Sequence, residues 1–307
     1  MIVPDGATLR SMLRSIWRPL AILFTFDMVV AVAYVYGGMK WLSLPHVPLS
    51  ILGGAIGVIL GFRNNSSYQR WWEARILWGS IVNYSRTFAR QALTMIIVPA
   101  DRSHTERDRA REIQHRLVLL QIAYVHSLRR HLRGQPAWEE LTPFYSTQQI
   151  EAFRLQRNVP VCIQQEMSTL LSECYEQGWI DSMRWSSIDQ SLAALMNAQG
   201  GAERIKNTPM PRQYDFFPQM FVGGYCVLLP LGIVANLQLL TPVGSTLVGL
   251  IFLALDEIGR ELENPFENGE HDVPITAISK TIEINLKQLL DIEEIPAPEK
   301  AIEGVLW

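Results

Sequence analysis

Charge disappears from the chain in three places. From Leu20 to Tyr36 the only charge is Asp27, and with its flanks this stretch is long enough to cross a hydrocarbon core of ~30 Å as a helix. Gly37, Gly38, Pro45 and Pro48 then mark a turn-rich connection, after which Val47 to Phe62 again carries no charge. That second apolar helix is short, and the pattern predicts that it continues beyond the apolar zone. Met220 to Leu255 is 36 residues without Asp, Glu, Lys, Arg or His. One uninterrupted helix of that length would reach ~54 Å at ~1.5 Å per residue, too far for one crossing. Asn236, Gln238 and Thr241-Pro242 near its middle supply a polar turn, so two helices in a hairpin are expected. Four membrane spans result.

The segment between, Arg63 to Pro218, is too polar for lipid and reads as helices. Ile113, Leu117, Leu120, Tyr124 and Leu128 recur every three or four residues, the spacing of a buried helical stripe. Ile275, Ile278, Ile282, Leu286 and Leu289 repeat the pattern after Pro274, which suits a helix's first turn. Pro296 and Pro298 predict an irregular tail beyond it. The chain therefore divides into 1–62 (N-terminal segment and two membrane helices), 63–218 (cytoplasmic helical region), 219–256 (membrane hairpin) and 257–307 (C-terminal helix and tail).

Composition sharpens this picture. Of 307 residues 48% are hydrophobic and 19% charged, an average of two environments that describes neither. A net charge of −3 gives no concentrated basic face, which argues against a nucleic-acid partner. Cys162, Cys174 and Cys226 form no paired framework and show no zinc spacing. Arg10, Arg14 and Arg18 lead directly into the first apolar stretch, as in an uncleaved anchor. Arg63, Arg70 and Arg75 follow the second, while the two short outer loops hold only Lys40. By the bias of Lys and Arg, both termini and the middle region are expected in the cytoplasm.

Catalytic chemistry finds little support. His115, His126 and His131 are spaced by eleven and five, not the three or four of a helical metal pair. No Ser-His-Asp order, phosphate-cradling Gly loop or dinucleotide fingerprint stands out. An enzyme, a metal and a cofactor are therefore not expected. Asp27, a carboxylate within a span, is expensive there; with no second ionisable partner for a proton relay, a structural, paired role is expected.

The second apolar helix is more informative. Gly53, Gly57 and Gly61 fall every four residues and bare one face for close helix packing, while Gly54, Val58 and Phe62 run down the adjacent face. After Phe62 the sequence turns polar within one residue, through Arg63-Asn64-Asn65-Ser66-Ser67 and an aromatic, charged segment that suits the exit from lipid.

Gly61-Phe62-Arg63-Asn64-Asn65, Arg70-Trp71-Trp72-Glu73-Ala74-Arg75 and Leu77-Trp78-Gly79 resemble the bestrophin family, bacterial branch. So do Glu203-Arg204-Ile205 with Thr208-Pro209-Met210-Pro211 and Tyr214, and Glu261-Leu262-Glu263-Asn264-Pro265-Phe266. Motifs in this order extend across most of the chain. The resemblance implies an all-α membrane protein, a homopentamer in the bacterial inner membrane with one central pore and a narrow apolar neck. Gly54, Val58 and Phe62 match the family's neck positions by place. Glycine at the first, where a bulky apolar side chain is usual, leaves Val58 and Phe62 as the constriction. Asn64 and Asn65 lie below the neck, and Met183 aligns with a cytosolic aperture. In calcium-activated members an acidic run follows the Asn-Pro-Phe motif. Here Glu267-Asn268-Gly269-Glu270-His271-Asp272 is interrupted, whereas Ca²⁺ asks for about six to eight oxygens, so no calcium gate is expected and the run is read as solvated acids and the entry to the Ile275 helix.

These residues imply passive flow of small monovalent ions, chloride or sodium or both. Apolar rings offer no dipoles to replace hydration, so the neck conducts when wet and closes when dewetted. Aromatic edges at Phe62 favour anions; the aliphatic Val58 weakens that preference. The alternative function is a membrane-anchored scaffold or sensor whose cytoplasmic helices bind a protein partner.

Overall fold

A computed structural model describes residues 1, 8–44 and 48–307, with side chains in the first helix from Ser15 onward. Pro45, Val47 and the side chains of Arg10 and Arg14 lie outside the described residues. Ten α-helices are described: α1 (Thr8–Val35), α2 (Leu49–Met95), α3 (His104–Leu132), α4 (Trp138–Leu141), α5 (Thr147–Phe153), α6 (Val159–Glu176), α7 (Ser182–Asn207), α8 (Arg212–Leu237), α9 (Thr241–Glu263) and α10 (Ile275–Leu289). Among the described residues there is no strand, only an isolated bridge between Ile302 and Val305 in the tail.

The second apolar helix does run on, for 47 residues as α2. At ~1.5 Å per residue this is ~70 Å, more than twice a hydrocarbon core. No proline or helix-ending glycine interrupts it, although Gly53, Gly54, Gly57, Gly61 and Gly79 all lie inside it. The apolar run from Met220 breaks where its polar residues fall. Helix α8 ends at Leu237, Gln238 takes φ +47°, a single 3-10 turn covers Gln238–Leu240, and Pro242 opens α9. A proline lacks the N–H that a helix's first turn leaves unused, so the break costs little there. Helix α8 begins earlier than hydropathy suggests, at Arg212 rather than Met220, because hydropathy marks apolarity and not hydrogen bonding.

The chain forms two compact units. One comprises Ile2–Trp72 and Pro209–Pro265, the other Met1, Glu73–Thr208 and Phe266–Trp307. In the first, α1, α8 and α9 pack around Leu23, Ile56, Leu60, Val222, Tyr225, Cys226 and Leu229. Gly249 lets α9 approach α1 closely, since a Cβ there would stand 2.3 Å from Leu23 Cδ2. The usual distribution of polarity is inverted: Ile22, Val29, Val243, Leu247 and Ile251 are exposed, while Asp27, Thr241 and Ser245 are fully buried. An apolar surface of that extent is what lipid selects. Two stretches, Ser15–Val35 and Arg212–Glu263, are long and apolar enough to cross a membrane, and the second is the broken pair α8 and α9.

The second unit has an ordinary polar exterior and a core centred on α3. Its stripe Ile113, Leu117, Leu120, Tyr124 and Leu128 is buried against α6, α7 and α10. A capping box of Ser103 and Glu106 starts α3, satisfying two otherwise orphaned backbone donors. On α10, Ile275, Ile282 and Leu286 are buried, Ile278 only partly and Leu289 exposed. The tail is irregular, as Pro296 and Pro298 predict, but it docks: Ala277 N–H donates to Trp307 O at 2.7 Å and Leu306 N–H to Met1 O at 2.8 Å.

The exposed apolar face of the long helix

Helix α2 has one face turned inward and one left open. Ile56, Leu60, Arg63 and Ser67 recur at helical spacing and are buried in the membrane-helix unit. On the opposite side Val58 is 59% and Phe62 68% exposed, and no atom lies within 4 Å of where a Cβ on Gly54 would be. Gly54, Val58 and Phe62 thus share a row that nothing among the described residues covers. Asn65 and Gln69 continue the same open face, so it passes from apolar to polar without leaving the helix. Of the three glycines on the neighbouring row, Gly53 meets Tyr225, whose hydroxyl is 2.8 Å from a Cβ position, while Gly57 and Gly61 face open space.

Directly beneath Phe62 the helix is fixed by charge. Arg63 is fully buried; its Nη1 donates to Asp256 Oδ1 at 2.7 Å and Asp256 O at 3.0 Å, and its Nη2 to Asp215 Oδ1 at 2.5 Å. One guanidinium thereby ties α2 to both α8 and α9. Asn64 turns the same way: its Nδ2 donates to Leu255 O at 2.9 Å, and Gly259 leaves room for its Oδ1. Asn65 alone of the two asparagines is exposed on the open side. The Arg63 anchor was not legible beforehand. The available signal was that Asp215 and Asp256 bracket the apolar run 220–255, which puts carboxylates at the two hairpin ends.

Farther along α2, Arg70 Nε donates to Glu263 O at 2.7 Å, while Glu73 pairs with Arg204 of α7. Tyr68, Trp71 and Trp72 form a mutually stacked aromatic group, centroids 6.3 to 6.5 Å apart. Met183 stands 83% exposed in the first turn of α7, whose N-cap Asp181 accepts from the Met183 and Arg184 amides at 3.0 and 2.9 Å.

Asp27 is enclosed within its unit, Thr246 Oγ1 donating to its Oδ2 at 3.3 Å and its Oδ1 making no hydrogen bond. Of the histidines, His126 is buried with Nε2 3.1 Å from Glu283, and His131 lies 3.4 Å from Glu203. The interrupted acidic run is not uniformly solvated. Asp272 is buried and accepts from Gly269 N–H at 3.0 Å, and Glu267 pairs with Lys206 at 2.7 Å. Burial pushes the Asp272 carboxyl above its ordinary range, and backbone N–H groups oppose that shift. The reading of all these acids as hydrated fails because the turn folds Asp272 back onto its own amides.

The family model for the bacterial/fungal bestrophin protein matches residues 7–288. The chain belongs to the bestrophin family. This bestrophin is 34% identical over 290 residues to the voltage-dependent anion channel-forming protein YneE of Escherichia coli strain K12, covering 94% of this chain and 90% of that one. It is 30% identical over 280 residues to the voltage-dependent anion channel-forming protein RSc3414 of Ralstonia nicotianae, covering 91% and 89%. Among solved structures, a bacterial bestrophin homologue from Klebsiella pneumoniae superposes with a TM-score of 0.82 at 28% identity, over 91% of this chain and all of that one. Membership makes this an all-helical membrane protein, in accord with the apolar surface of its first unit.

Proposed function

We propose that this bestrophin assembles as a homopentamer in the bacterial inner membrane, four spans per subunit and both termini cytoplasmic, and passes small monovalent anions, chloride foremost, down their electrochemical gradient. The pore neck is the open face of α2, with Val58 and Phe62 as the constriction, the small Gly54 widening the ring above, and Asn65 below. Met183 contributes to a second, cytosolic aperture. The observation that carries this reading is that Gly54, Val58 and Phe62 form an apolar row uncovered by any described residue of their own chain, on a membrane helix whose same face continues as polar. A row turned only toward lipid would have no use for Asn65 and Gln69 in line with it.

Dewetting supplies the gate. Rings of valine and phenylalanine give an ion nothing in place of its water, so conduction depends on neck width. The Phe62 ring edges, which carry partial positive charge, favour anions, and relatives named as anion channel-forming proteins support the same sign. Purified protein in planar bilayers under a chloride gradient is expected to show a reversal potential near that of chloride. A reversal near the sodium potential overturns the anion assignment and leaves conduction intact; liposomes that leak no ions restore the scaffold reading.

A further inference from the structure

Helices α3 and α10 face each other in the polar unit, and part of that seam is charged where packing alone would place apolar residues. Thr276, Lys280, Glu283 and Lys287 fall at i, i+4, i+7 and i+11 along α10, a single helical face. Opposite them on α3 stand His126 and Arg129, and α4 contributes Glu140. These groups border a cavity of about 390 Å³ floored by Leu119, Pro143 and Phe144, within the ~300–1,000 Å³ of small-molecule sites.

The cations of this network outnumber its paired carboxylates. Glu283 is shared by Lys280 at 3.2 Å, Lys287 at 3.0 Å and the His126 ring at 3.1 Å. Glu140 is shared by Arg129 and by Arg130 at 2.7 Å. Arg133 donates to Thr276 Oγ1 at 2.7 Å rather than to a carboxylate. Burial and the neighbouring Arg129 bring its guanidinium down to about 10, the direction expected where positive charge is crowded and poorly hydrated. Glu299, from the tail, reaches the same cavity, so the groups that border it set Arg129, Lys280 and Lys287 against three glutamates, and the positive excess comes from Arg130 and Arg133 beside them.

Among the described residues, three polar atoms around the cavity make no hydrogen bond: Arg129 Nε, His126 Nδ1 and Glu140 Oε2; the last two face each other at 3.9 Å, an ion-pair distance too long for a hydrogen bond. Arg129 and His126 are only 7% and 8% exposed, so bulk water does not readily serve them. Arg129 Nε requires an acceptor and Glu140 Oε2 a donor. His126 Nδ1, its other nitrogen engaged by Glu283, can act as either. Leaving buried groups of this kind unsatisfied is costly.

We propose that the cavity between α3, α4 and α10 binds a compact oxyanion bearing at least one hydroxyl, of the phosphate or hydroxycarboxylate class. Its oxygens accept from Arg129 and take the charge of Lys280 and Lys287, and its hydroxyl donates to Glu140. A bound ion of this kind bridges α3 to α10 through contacts the chain does not make by itself. None of its groups is among those assigned to the neck or to the cytosolic aperture.

Thermal unfolding of the full chain in detergent tests the site, with inorganic phosphate, malate and chloride compared at one ionic strength. Phosphate or malate is expected to raise the midpoint saturably above chloride. The two arms distinguish the two sources of oxyanion. Lys280→Gln with Lys287→Gln is expected to weaken that effect about tenfold or more, as loss of charge-assisted contacts does. Leu119→Trp, which fills the cavity without removing a charge, is expected to abolish it, and decides the matter if the double variant does not fold. Equal midpoints in all three salts, or a phosphate effect undiminished in Leu119→Trp, overturn the proposal and leave the cavity to water.

Discussion

At the scale of single residues, the proposal for the neck rests on side-chain size at one position. Val58 is 59% exposed on the open face of α2, so truncating it removes little packing within its own chain. Val58→Ala is therefore expected to raise single-channel conductance with the thermal midpoint nearly unchanged. Unaltered currents from intact oligomers would remove Val58 from the pore. Glu283 is the opposite case, a residue held by many contacts. Burial disfavours its charge, but the hydrogen bonds from His126, Lys287 and Lys280 outweigh burial and hold its carboxyl at about 2, against 4.5 ordinarily. Its folded value lies below its unfolded one, so its contribution is complete above about pH 4.5 and is lost as pH falls toward 2. The scale of the effect is ~3 kcal/mol. Glu283→Gln should flatten the decline of the thermal midpoint between pH 5 and pH 3 compared with the parent protein. The residue types at 58 and 62 could be read from the chain, as could their shared face. That Asn64 points inward and Asn65 outward could not, because both occupy the same polar segment and only the position of Leu255 separates them.

At the scale of elements, the determining contacts are between helices of the membrane unit. Asp256 is the buried member of the two carboxylates on Arg63, and its removal leaves the guanidinium the partly exposed Asp215. Asp256→Ala is expected to destabilise by ~3–5 kcal/mol, as breaking one side of a buried ion pair does. Asp256→Asn retains an acceptor and should cost clearly less; equal melting of the two variants would show that charge is not what holds Arg63. Gly249 tests the same unit by volume. A side chain there meets Leu23 at 2.3 Å, so Gly249→Val is expected to force α1 and α9 apart at a cost of ~1–3 kcal/mol, read as a lower unfolding midpoint in detergent. Helix identity was legible from periodicity: the buried stripe of α3 falls where three-and-four spacing puts it, and that of α10 does so at Ile275, Ile282 and Leu286 but not at Leu289. The hairpin break was legible from Gln238 and Pro242. The ion pair joining α2, α8 and α9 was not, since Arg63 lies 152 and 193 positions from its partners and no local pattern couples residues so distant.

At the scale of the whole molecule, the expected assembly is five copies of a 34.9 kDa chain, and a mass measurement of the detergent complex checks it directly; a monomer or dimer would leave the open face of α2 without an axis to line. That this is a helical membrane protein of the bestrophin family is already written in the chain, because apolar length and ordered motifs are properties that no packing can change. The chain also sets which residues share the face of α2, since helical geometry fixes that once the helix forms. Three features come from packing instead: this face is left uncovered by the described residues while its opposite is buried, Arg63 is an internal tie rather than an interfacial charge, and α3 and α10 border a charged cavity. Each of those depends on which distant helices meet, and that choice is made by shape and polarity in three dimensions, where neighbours along the chain carry little information.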